Sequence, residues 1–208
     1  MTEPPPPDDG VKRALHRAFS RFLAVYAEYG GHRYHGWTDY NDPANYRGPM
    51  FWSEHDCVYR LALELERDFP GHVHLELPVV RWSFADFDAE LDTKERVDLV
   101  VSDLTDFIED ETSQHRFMTH RHELFVEAKL FPAGCSKRWR FDHLRKIPDV
   151  VADAERLARH LDRGHCRVAA VLVVDDDGLF EGGFAKLAWP ANVELLLASP
   201  AVVATRDG

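Results

Sequence analysis

The sequence predicts an α/β domain, and three features of its patterning predict it. Two stretches with helical apolar spacing come first, and three short β-type runs follow. A further helical stretch then leads into an almost continuous apolar run of strand length. The 208 residues, 45% apolar and 29% charged, suit one domain with a sizeable core and exclude a disordered chain. Residues 1–10 are proline-rich and read as a flexible tail, leaving 11–208 as the single domain.

Each element has its own signal. From Val11 to about Tyr29, Leu15, Phe19, Phe22 and Tyr26 recur every three or four residues, while Lys12, Arg13, Arg17 and Arg21 make a basic side. Gly30 and Gly31 stop this helix. A polar, aromatic stretch to about Met50, containing His32, His35 and Trp37, has no periodicity and reads as an ordered loop. Phe51–Phe69 is strongly amphipathic, with Ser53 as N-cap and Pro70-Gly71 as its end. The β-type runs lie at about 72–83, 96–103 and 121–131, the last two separated by an acidic loop, Asp106–Gln114. Pro148 opens a helix over 148–163 that closes at Gly164. Cys166–Val174 then suits a strand buried on both faces.

Composition narrows the function classes. Lys and Arg number 25 against 36 Asp and Glu, a net charge of −11, so bulk charge does not coat nucleic acid. The charge is segregated, however. Residues 84–115 carry eleven acids and two bases, whereas 116–146 carry eight bases and three acids. The sequence has no run of 18 apolar residues to span a membrane and no signal-peptide pattern at its start. Cys57, Cys135 and Cys166 are too far apart for a disulfide framework or a zinc knuckle. A cytoplasmic protein is expected. His115, His120 and His122 with Cys135 are zinc-ligand types, but no closely spaced pair anchors them.

The chemistry-bearing residues stand where apolar ones are expected. Glu54 is in line with Val58, Leu61 and Leu65 on the buried stripe of its helix. A carboxylate there needs a cation, or serves as a first-turn acid favoured by the helix dipole. Asp98 interrupts Val97, Leu99, Val100 and Val101, in a strand where Val97, Leu99 and Val101 share one face. In the next strand Leu124, Val126, Ala128 and Leu130 form an apolar face, which puts Glu127 and Lys129 together on the other, about 6–7 Å apart. Two converging carboxylates repel unless a hard cation such as Mg²⁺ lies between them. A neighbouring lysine can orient or deprotonate water, or stabilise developing negative charge. That set suits hydrolysis of a phosphodiester. On the covering helix 148–163, Asp149, Asp153 and Arg156 read as the solvated side.

Asp98 followed by Glu127-Ala128-Lys129 resembles the Asp…(Asp/Glu)-X-Lys motif of the PD-(D/E)XK nuclease superfamily, with Val97 in place of the motif's proline. The element order over about 51–175 is similar to the αβββαβ core of that restriction-endonuclease-like fold. The resemblance implies a central mixed sheet flanked by helices, here with an extra N-terminal helix. It implies Asp98 and Glu127 as metal ligands with Glu54 as an additional carboxylate, Lys129 as catalytic lysine, and Mg²⁺ as the metal, with Mn²⁺ accepted. Nucleic acid, DNA before RNA, is the expected substrate, gripped by Lys137, Arg138, Arg140, Arg145 and Lys146. A homodimer or a larger complex, such as a bacterial defence or DNA-processing system, would supply what the net charge lacks. The rival readings are a non-catalytic interaction subunit that keeps the fold, and a hydrolase of small phosphodiesters.

Overall fold

A computed structural model of the chain describes residues 8–30, 53–78, 96–110, 117–131, 137–176, 178, 180–184 and 187–204. The elements run α1 (Asp8–Gly30), α2 (Glu54–Leu65), β1 (Val73–Pro78), β2 (Arg96–Asp110), β3 (Phe117–Phe131), α3 (Lys137–Asp162) and β4 (Cys166–Asp175). They close with α4 (Glu181–Phe184), β5 (Glu194–Ala198) and α5 (Pro200–Ala204). The strands form one mixed five-stranded sheet in the order β1-β2-β3-β4-β5. The first three are antiparallel neighbours, whereas β3, β4 and β5 run parallel. The class is α/β, as expected.

Period-two alternation sorts the core into two layers. Leu124, Val126, Ala128 and Leu130 of β3, with Val168, Ala170, Leu172 and Val174 of β4, pack against α1 and α2. The intervening Phe125 and Phe131, with Ala169, Val171 and Val173, pack against Val150, Ala154 and Leu157 of α3. Covered on both faces, β4 is apolar from Val168 to Val174. Asp175 ends it, fully buried, with one carboxylate oxygen accepting the Phe180 and Glu181 N–H groups at 2.9 Å.

Several boundaries differ from the expected ones for local physical reasons. α1 starts at Asp8 rather than Val11. The segment expected as an acidic loop continues as strand to Asp110, where Glu109 and Asp110 pair with Met118 and Phe117. An offset between Asp103↔Arg121 and Phe107↔His120 absorbs the extra residues. Pro148 lies inside α3 rather than at its start. Its φ fits a helix, and the missing N–H costs one bond, to the Leu144 carbonyl. The basic run 137–146 is therefore the first half of a helix. Val97 joins Val100 and Phe125 in the layer beneath α3, leaving Leu99 and Val101 on the other face. The aromatic stretch 32–46, His115 and Cys135 lie outside the described residues.

The basic side of α1 faces acids of the same chain. Arg21 donates to the Glu64 carbonyl at 2.6 Å and to Asp68 at 2.7 Å, and Arg17 reaches Asp68 at 2.7 Å. Hydrogen bonds from Arg21 and Arg17 hold the Asp68 carboxyl below its ordinary range. Lys12 meets Glu194 of β5 at 3.2 Å. These contacts tie α1 to α2, to the turn that follows it and to the far edge of the sheet.

Ser53 caps α2 as expected. Its hydroxyl accepts the Asp56 N–H at 3.3 Å, and its own N–H donates to the Asp56 carboxylate at 3.0 Å. Ser53→Ala should lower unfolding stability by about 1 kcal/mol in urea titration, with the slope unchanged.

Candidate functional site

The site begins where β2 leaves β3. The ladder between them runs up to Leu99↔Val126 and includes neither Asp98 nor Glu127. On its other side Asp98 faces Glu76, a residue with φ of 49° that the β1–β2 register skips between Leu75↔Leu99 and Leu77↔Val97. A left-handed φ on a non-glycine residue costs on the order of 1 kcal/mol. Its side chain is tied to His55 of α2 at 2.6 Å and to Arg96 at 3.4 Å. With the ladder open, the Ala128 N–H is taken by the Asp98 side chain, whose Oδ2 accepts it at 2.8 Å. This bond sets the Asp98 carboxylate against Glu127.

Glu127 and Lys129 share the α3 face of β3, as the alternation predicts. The Glu127 side chain is only 4% exposed. Burial raises its pKa most and the Asp98 charge adds to this; Arg156 opposes them, and the result is pushed up to about 9. Lys129 is tilted the other way. Burial works against its charge, but the Asp153 hydrogen bond and the nearby acids, Glu54 and Glu127 among them, outweigh it and hold the ammonium above its ordinary value. Lys129 Nζ stands 2.8 Å from Asp153 Oδ2.

Asp153 and Arg156 correct the sequence reading, which left them on the solvated side of their helix. They are 19% and 27% exposed and pack over the strand charges. Arg156 Nη2 reaches Glu127 Oε1 at 2.5 Å and Asp153 Oδ1 at 3.1 Å. A signal for them existed. A helix covering a strand that carries acid then base must present base and acid in the matching places. Asp153 and Arg156, three residues apart, share a helix face and do so in reversed chain order. Asp149 is exposed, as expected.

Glu54 sits in the first turn of α2, partly exposed, with Lys146 Nζ 3.6 Å away. It influences Lys129 by charge and does not enter the Asp98–Glu127 contact. Lys146 therefore answers an acid of the candidate site, while Lys137, Arg138, Arg140 and Arg145 precede it along α3. Among the described residues no three Asp, Glu, His or Cys side chains gather so as to hold a metal ion. The donor set is a pair of hard carboxylates, and Glu127 Oε1 is buried without a hydrogen bond. Such a pair fits Mg²⁺, which takes one or two carboxylates and completes its shell with water and phosphate.

Comparison with protein-family models, curated proteins and solved structures finds no match to this chain.

The raised Glu127 pKa has a direction that stability measurements can read. An acid that binds protons more tightly when folded makes folding progressively less favourable as pH rises, here between about 4.5 and 9. In thermal melts with EDTA, Glu127→Gln should gain on wild type across that window and hold a constant difference below it. A constant difference throughout would mean that Glu127 ionises like an exposed glutamate.

Proposed function

We propose that the chain is a Mg²⁺-dependent nuclease with a restriction-endonuclease-like core of the PD-(D/E)XK type, acting on DNA in preference to RNA. The observation that carries this reading is the bond from Ala128 N–H to Asp98 Oδ2, which brings the Asp98 carboxylate beside Glu127, two residues before Lys129 on the same face of β3. The element order α2-β1-β2-β3-α3-β4 supports the αβββαβ core. Asp98 and Glu127 would hold the metal, and Mn²⁺ would substitute for it. When bound, the ion supplies a Lewis acid for the phosphoryl oxygen and lowers the pKa of its water. Lys129, kept charged by Asp153, stabilises charge that develops on the phosphate. Glu54 acts on Lys129 and Lys146 from outside the carboxylate pair.

The basic half of α3 provides the backbone grip through Lys137, Arg138, Arg140, Arg145 and Lys146. With a net charge of −11, that grip is local, so the protein works best as a cytoplasmic homodimer or as a subunit of a larger complex. Among the described residues no helix is long and apolar enough to cross a membrane. A second reading, a non-catalytic subunit, draws on the fact that α3 already pairs both Glu127 and Lys129.

The deciding experiment offers plasmid, linear duplex, single-stranded DNA and RNA to wild type and Lys129→Ala, each with Mg²⁺, Mn²⁺ or EDTA. Cleavage should require the metal and fall on the order of 100-fold or more in the variant. Cleavage by neither protein would favour the non-catalytic subunit. Neutralising Lys137, Arg138 and Arg140 together should weaken DNA binding and flatten its salt dependence by up to about three phosphate contacts. Unchanged binding would place the grip elsewhere.

A further inference from the structure

Glu127 is the most enclosed of the site's charges, and Arg156 is the group that covers it. The Arg156 side chain is 27% exposed and in contact with a Glu127 side chain that is 4% exposed, so the pair reaches solvent through Arg156. The contact is close, 2.5 Å from Nη2 to Oε1, yet that oxygen has no hydrogen bond. The guanidinium therefore lies against this oxygen without the alignment of a bidentate pair. The same nitrogen donates to Asp153 Oδ1 at 3.1 Å. Asp153 in turn holds Lys129 at 2.8 Å. Arg156 thus has a second acid to keep it beside the site when it leaves Glu127.

We infer that Arg156 is a resident counter-ion that occupies the place at Glu127 which a divalent cation takes, and must be displaced before the cation binds. Resting on the nuclease reading above, the inference makes Arg156 a positioning residue that acts through Glu127. Two positive groups cannot both hold one carboxylate oxygen at contact distance without strong repulsion. A displaced guanidinium still tethered to Asp153 is left facing the same opening, where a phosphate oxygen of the substrate can accept from it. Metal-free protein then keeps its acids neutralised, and the cation binds less tightly for having to displace Arg156.

The test uses Mn²⁺ as the probe and binding as its readout, with the full-length protein and no nucleic acid present. Calorimetric or paramagnetic titration of wild type, Arg156→Met and Arg156→Lys at fixed ionic strength, each at several pH values so that competition from the Glu127 proton is separated from competition from Arg156, measures the effect. Arg156→Met should bind Mn²⁺ more tightly, on the order of tenfold or more, while Arg156→Lys stays near wild type because its charge still competes. Arg156→Gln, which keeps a neutral donor for Glu127, replaces the methionine variant if that variant does not fold. Equal or weaker Mn²⁺ binding in the neutral variants, with binding still lost in Asp98→Asn, overturns the inference and leaves the nuclease reading standing. Mn²⁺ binding that survives Asp98→Asn and Glu127→Gln, or binding by no variant, removes the metal site itself and both readings with it.

Discussion

The structure depends on a charge crossing between one strand and one helix. Glu127 and Lys129 stand on the α3 face of β3 between the buried Phe125 and Phe131, and α3 answers them with Arg156 and Asp153 in reversed order. Charges in such a place are tolerated only when each meets its opposite. The crossing therefore specifies how far along β3 the helix lies and which face it turns inward. Buried Val150, Ala154 and Leu157 supply much of the apolar contact of that helix. They would tolerate sliding, because apolar contact is not directional. The paired charges would not.

The opening at Asp98 is the complement of that crossing. On the other face of the sheet the core is conventional, with α1 and α2 over an unbroken apolar surface. Where β2 leaves β3 a side chain replaces the backbone as hydrogen-bond acceptor. The irregularity extends to Glu76, so the site occupies a short break in the ladder, separate from the register shifts farther along β2. Breaks of this kind weaken the sheet locally and persist when surrounding structure holds them. Here the holding groups are Arg96 and His55 around Glu76, and the α3 charges around Glu127.

Most of the fold was legible because its elements have clean periods. The helical stripe of α2, the alternation of β3 and the continuous run of β4 each state which faces are buried. What stayed hidden depends on pairing across distance. Asp153 and Arg156 look like surface residues within their own helix, and only the strand beneath makes them interior. Likewise Pro148 signals a helix start by local preference, whereas the apolar stripe following it anchors a helix that begins eleven residues earlier. β5 escaped notice because five residues beside a turn-rich stretch carry too little pattern. Of the candidate site, Asp98, Glu127 and Lys129 were visible as charges in apolar strands. The departure of β2 from β3 at Asp98 was not, since nothing local in either strand encodes a broken ladder.

The position of β4 has a consequence for how the protein is made. Its strand neighbours are β3, reached only after the whole of α3 has been synthesised, and β5, which comes later still. Between Val168 and Val174 it offers seven consecutive apolar residues, four of them valine, with charges only at its two ends, Arg167 and Asp175. Until α3 crosses the sheet and β5 arrives, this segment is a bare template for another chain. A stalled or partly denatured molecule therefore aggregates through its centre, and the charges that align α3 also decide how briefly that centre is exposed.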